Sequence, residues 1–100
     1  MIKHIVMFRL KSDYAGTGRT ARLASLKKSL DALPEKIREI KEFETGLNIS
    51  KSPSAYDLVL ISAFENSDDL DVYRKHPEHQ AVVKEINEIM DVITVVDYKK

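Results

Sequence analysis

The segment spanning residues 56–65 is apolar on both parities of an extended chain. Leu58, Leu60 and Phe64 fall on one parity, and Val59, Ile61 and Ala63 fall on the other. Side chains along a strand alternate between the two faces of a sheet. The closing segment repeats the pattern, with Ile93 and Val95 set against Val92 and Val96. Residues 2–10 also read as a strand, because they alternate and are rich in β-branched and aromatic types. Ile2, His4, Val6, Phe8 and Leu10 point one way, and Lys3, Ile5, Met7 and Arg9 the other. A sheet built from such strands has two apolar faces, and each needs a cover. That requirement restricts the fold more than any other feature of the chain.

The remaining residues supply one cover. Residues 13–18 read as a turn with Gly16 and Gly18 as breakers. Leu23, Leu26, Leu30 and Leu33 then recur at helical steps of three and four. Pro34 disfavours the helical conformation at Leu33 and closes that helix. A short helix over 34–39 follows, opened by Pro34. Residues 42–50 read as a second strand weakened by Gly46. The short polar loop 51–55 makes a hairpin with the strand 56–65. Ser67 is expected to cap a helix running through Tyr73, with Asp68 and Asp69 in its first turn. His76-Pro77 restarts the helix, which carries Val82, Val83, Ile86, Ile89 and Met90, and residues 92–98 form the last strand.

The order is β-α-β-β-α-β, an α+β ferredoxin-like plan with an antiparallel four-stranded sheet in one domain over residues 1–100. Four strands span about 19 Å, and two helices of about 10 Å each cover one face. The second face has no cover left in the chain. A continuous exposed apolar patch is rare on monomers. Two-fold pairing is the commonest remedy, so a homodimer through the outer sheet face is expected.

Charge narrows the partners. Sixteen basic residues balance sixteen acidic ones. A net charge of zero gives no electrostatic footprint for nucleic acid or a membrane surface. No apolar run approaches the ~20 residues needed to span a bilayer. The N-terminus has no basic leader followed by a long apolar stretch, so no signal peptide is expected. The chain has no cysteine. That removes disulfides, thiolate metal sites and cysteine nucleophiles, and fits a cytoplasmic protein.

Histidines occur at 4, 76 and 79. His4 interrupts an apolar stripe. It reads either as a core histidine satisfied by hydrogen bonds or as a polar group aimed into a pocket. His76 precedes Pro77 and reads as a cap. His79 falls in the first turn of the last helix, where the helix dipole opposes protonation. A neutral imidazole there can serve as a general base near neutral pH. The break at His76-Pro77 can fold Tyr73 and His79 toward one space. His76 and His79 are spaced for chelation, but no further ligand is placed, so no metal or other cofactor is expected. Asp68, Asp69 and Asp71 lack calcium-loop spacing. Gly16-Thr17-Gly18 lacks the context of a phosphate loop.

Several segments together resemble the stress-responsive A/B barrel domain family, known as Dabb. They are Lys3 to Phe8, Phe43 to Asn48, Ala55 to Leu60, Tyr73-Arg74-Lys75-His76-Pro77-Glu78-His79, and Val95 to Tyr98. The resemblance covers essentially the whole chain, and its most specific part is Tyr-x-x-His-Pro-x-His. It implies a dimeric α+β barrel with a pocket between sheet and helices. Plant olivetolic acid cyclase is an enzymatic relative that closes a poly-β-ketone without a cofactor. By that resemblance His79 takes the position of the base and Tyr73 that of its hydroxyl partner. His4 lines the same pocket with Val6, Phe8, Leu58 and Leu60, and Leu23, Leu26 and Val82 complete the wall. The chain departs from the cyclase at Leu58, where the cyclase has a histidine, and at Arg22, Leu23 and Leu26, where it has aromatic side chains.

Three functions stay open on the sequence. One is a cofactor-free conversion or binding of a small apolar, polyketide-like carbonyl compound by His79, Tyr73 and His4. Another is a non-catalytic stress-response dimer in which the same side chains form a buried hydrogen-bond network. A cofactor-free oxygenase is a third option by fold analogy.

Overall fold

The computed structural model describes residues 1–12 and 17–100. Its elements are β1 (Ile2–Leu10), α1 (Thr17–Asp31), α2 (Leu33–Lys36), β2 (Glu42–Leu47), β3 (Leu58–Phe64), α3 (Ser67–Lys75), α4 (Pro77–Ile89) and β4 (Met90–Lys99). The strands form one antiparallel sheet in the order β2-β3-β1-β4. This is the expected α+β plan.

Register assigns the faces. Val6 lies opposite Leu60 on β3 and opposite Val95 on β4, and Phe8 lies opposite Leu58 and Ile93. These residues face the helices. Leu26, Leu30, Phe64 and Tyr73 are fully buried between the layers. On the outer face Ile5 lies between Ile61 and Val96, and Met7 between Val59 and Thr94. Met7, Val96 and Tyr98 are 42%, 54% and 45% exposed there. The helices leave this apolar face bare. At one end Lys3 and Glu42 pair at 2.8 Å over Ala63, their common cross-strand neighbour, which is fully buried.

The boundaries differ from expectation where local polar chemistry intervenes. Of the turn expected over 13–18, residues 13–16, with Gly16, lie outside the described residues. Gly18 sits in the first turn of α1 rather than in a turn before it. The first helix ends at Asp31, short of Leu33, and Pro34 falls in the first turn of the one-turn α2, which stops at Lys36. β2 ends at Leu47 because Asn48 turns back on the chain. Its Nδ2 donates to Ser50 O at 2.8 Å, and Ser50 N donates to Asn48 Oδ1 at 2.9 Å. Asn66, not Ser67, caps α3, accepting from Asp69 N at 2.9 Å.

Asp57 fastens the end of the sheet where three segments meet. Its Oδ2 accepts from Leu10 N at 2.8 Å, and its Oδ1 pairs with Arg19 of α1. Its own backbone N donates to Phe8 O at 2.8 Å, and its carbonyl accepts from Asn48 N at 3.0 Å. The side chain is 7% exposed. Replacing it strands a buried Leu10 N–H and removes Arg19's partner. Asp57→Ala is therefore expected to lower unfolding stability by about 2–3 kcal/mol. A urea titration reads this directly, and a loss below about 0.5 kcal/mol, the range of ordinary surface changes, would contradict it.

Candidate active site

The site begins with the break between α3 and α4. His76 is extended (φ −63°, ψ 134°), as the residue before Pro77 must be to avoid its ring. Its Nδ1 accepts from Glu78 N at 3.1 Å and caps α4, as the sequence suggested. The end of α3 leaves carbonyls without intrahelical donors. The Arg74 carbonyl accepts instead from His79 Nδ1 at 3.1 Å and Gln80 Nε2 at 2.5 Å. A carbonyl only accepts, so the proton of a neutral His79 sits on Nδ1 and the lone pair on Nε2.

His79 is half-buried. Burial is the main cause holding its pKa below the usual 6.5. The charges of His4, Arg74 and His76 act in the same direction, and the bond to the Arg74 carbonyl opposes them. The imidazole is neutral near pH 7 and carries a basic nitrogen.

Next to it lies a cavity of about 190 Å³ between the inner sheet face and the helices. Its floor is His4, Val6 and Phe8 of β1 with Leu60 of β3. Tyr73, His79, Val83 and Ile86 roof it, and Leu30, Arg74 and Asn87 close its sides. Ile93 and Val95 of β4, 42% and 48% exposed, also line it. The helices do not cover this edge of the inner face.

Of the wall residues expected from sequence, Val6, Phe8 and Leu60 line this cavity. Leu23, Leu26, Leu58 and Val82 do not. They are buried in the core cluster. The apolar stripe of α1 meets the cavity only at Leu30. On α4 one residue is about 100° of rotation, and that puts Val83 rather than Val82 at the wall.

His4, Tyr73 and His79 do come together. The Tyr73 ring is 4.3 Å from His79, 4.9 Å from Phe64 and 6.0 Å from His4, centroid to centroid. The Tyr73 hydroxyl is buried and has no hydrogen-bond partner among the described residues. Burial raises its pKa well above 10, so it remains a protonated donor. His4 is bonded, its Nδ1 lying 2.5 Å from Asp97 Oδ1. The second oxygen of Asp97 accepts from Arg74 at 2.5 Å, and Arg74 also reaches Asp71 at 3.5 Å. His4 is thus bonded through Nδ1 and also lines the cavity.

The sequence matches the model of the stress-responsive A/B barrel domain family over residues 2–100. The chain belongs to this family. An uncharacterised protein of Streptomyces coelicolor is 39% identical over 83 residues, which are 83% of this chain and 84% of that protein. A stress-response A/B barrel domain-containing protein of Arabidopsis thaliana is 34% identical over 98% of this chain, which spans only 36% of the plant protein's length. A crystal structure from Bacteroides fragilis, described as a dimeric protein of unknown function with a ferredoxin-like fold, superposes with a TM-score of 0.91. It is 36% identical and covers 99% of this chain and 95% of its own. A hydroxynitrile lyase of Passiflora edulis has a TM-score of 0.82 at 20% identity, covering 97% and 90%, which is a likeness of fold.

Three polar residues of this A/B barrel domain's site were not anticipated: Arg74 and Asn87, which line the cavity, and Asp97, which holds His4 and Arg74. Asp97 carried a signal. It follows Ile93 and Val95 on the inward parity of β4, and is the polar exception there as His4 is on β1. The two lie directly opposite in the register. Among the described residues no three metal-binding side chains converge, and no helix is long and apolar enough to cross a membrane.

The unpaired hydroxyl has a consequence for stability. Tyr73→Phe removes a buried polar atom that no group among the described residues satisfies, and keeps the ring contacts. Stability is expected to stay level or rise by up to about 1 kcal/mol. A loss above about 1 kcal/mol in chemical denaturation would mean that the hydroxyl is bonded within the folded A/B barrel domain.

Proposed function

We propose that this A/B barrel domain is a homodimer joined through its outer sheet face, whose cavity binds a small carbonyl compound and moves a proton beside the carbonyl without a cofactor. The carrying observation is the buried Tyr73 hydroxyl, without a hydrogen-bond partner among the described residues, on a ring 4.3 Å centroid to centroid from a neutral His79 that lines the same apolar cavity. His79 Nε2 takes a proton from the carbon next to the carbonyl. The C–H electron pair moves into an enolate, and the Tyr73 hydroxyl donates to the oxygen that gains charge. Water-poor walls such as Val6, Phe8 and Leu60 strengthen that bond. His4 faces the same space and is held by Asp97.

The 36% identical Bacteroides fragilis protein, described as dimeric, supports the association, as does the apolar outer face. A hydroxynitrile lyase shares the fold, so the fold is compatible with small-molecule chemistry. Zero net charge argues against nucleic acid as a partner, and the cysteine-free sequence suits the cytoplasm. The test is hydrogen exchange. A small ketone in heavy water should exchange its α-hydrogens faster with the protein than in buffer, as read by NMR. A ketone that binds in the cavity yet exchanges only at the buffer rate would remove proton transfer from the proposal.

One observation favours the second reading, a non-catalytic dimer. His4 is tied into a continuous Arg74–Asp97–His4 network. That reading leaves the Tyr73 hydroxyl without a purpose, and we rank it second.

A further inference from the structure

Building on the carbonyl-binding reading of this site, we infer that its ligands are compact and uncharged, a benzene-sized apolar body with a single aldehyde or ketone group, and that carboxylates and long-chain ketones are turned away. Size comes first. A dry apolar cavity of roughly 150 Å³ in another protein is filled by one benzene. The cavity here is about 190 Å³, which leaves room for a carbonyl and a small substituent. Phe8 and Leu30 are 2% and 0% exposed, so the inner end is closed by packed side chains. A longer chain has to leave past Ile93 and Val95, where it stays partly in water.

Charge comes second. Arg74 is the only lysine or arginine among the described residues that line the cavity. Its guanidinium already faces two carboxylates, Asp97 at 2.5 Å and Asp71 at 3.5 Å. A carboxylate ligand must either displace Asp97, which also holds His4, or lie beside it without a free cation. The Tyr73 hydroxyl, in contrast, satisfies one neutral carbonyl oxygen and itself gains an acceptor.

Binding to the chain of residues 1–100 separates the possibilities, with four probes titrated by NMR: acetophenone, ethylbenzene, benzoate and a straight-chain methyl ketone longer than the cavity. Acetophenone is expected to bind at least about tenfold more tightly than benzoate and than the long ketone. It should also bind more tightly than ethylbenzene, and Tyr73→Phe should erase that margin. If benzoate or the long ketone matches acetophenone while Tyr73→Phe still weakens ketone binding, the size and charge inference is overturned and the carbonyl-binding reading stands. If acetophenone and ethylbenzene bind alike and Tyr73→Phe changes neither, the carbonyl-binding reading fails and takes this inference with it. Failure of all four probes to bind overturns both.

Discussion

Replacing His79 with alanine is expected to slow α-hydrogen exchange, or turnover of any accepted carbonyl compound, by about a hundred- to ten-thousand-fold, the usual contribution of a positioned general base. The imidazole contacts Tyr73 and the Arg74 carbonyl from the rim of the cavity, so its loss leaves the core intact. The pH dependence carries the sign. Burial holds the His79 pKa below 6.5, and the active form is neutral. The wild-type rate should therefore be level above about pH 6.5 and fall only as acid protonates His79. Tyr73 stays protonated through neutral pH, so it adds no alkaline limb below pH 10. Unchanged turnover in a folded His79→Ala protein, on every substrate accepted, would end this role for His79. A rate that climbs as pH falls through 6 would point to imidazolium acting as an acid instead.

The faces of the sheet were legible because strand periodicity is short and burial enforces it. Leu58, Leu60 and Phe64 had to share a face whatever the rest of the chain did. The helix restart at His76-Pro77 was equally legible, since proline restricts the residue before it. Rotation and register were not. Whether Val82 or Val83 meets the cavity is decided by how α4 lies on the sheet, and a heptad-like stripe admits both. Which part of the Leu23–Leu26–Leu30 stripe reaches the cavity depends in the same way on the tilt of α1. The pairing of His4 with Asp97 joins residues 93 positions apart and exists only once β1 and β4 are in register. The Tyr73 hydroxyl lacks a partner among the described residues for a three-dimensional reason too. His4 is engaged by Asp97 and His79 by the Arg74 carbonyl, so neither histidine is bonded to it. Sequence could bring the three residues to one space, but not say which would be left wanting a partner.

The outer face yields the other large effect. Val96→Lys is expected to convert the dimer to protomers. Val96 is 54% exposed in the protomer and lies on β4, at the edge of the sheet, beside Ile5 of the central strand β1 on the apolar outer face. A lysine there costs an isolated protomer little, because the ammonium reaches water. In a two-fold interface the same change is buried twice. An unpaired buried charge costs about 3 kcal/mol, so two cost about 6 kcal/mol, or roughly four orders of magnitude in the dimer dissociation constant. Val72→Lys is the control. Val72 is 45% exposed but belongs to α3, on the opposite side of the sheet, and its change should leave association untouched. Sedimentation over a wide concentration range distinguishes the two variants. If Val96→Lys remains dimeric, the partner does not sit on this face. If the wild-type chain sediments as a stable protomer at high concentration, its bare strands need no partner at all. The cavity lies on the other side of the sheet from Val96. Protomers released by Val96→Lys should therefore still bind acetophenone, which would show that association shelters the sheet while the ligand site belongs to each chain alone.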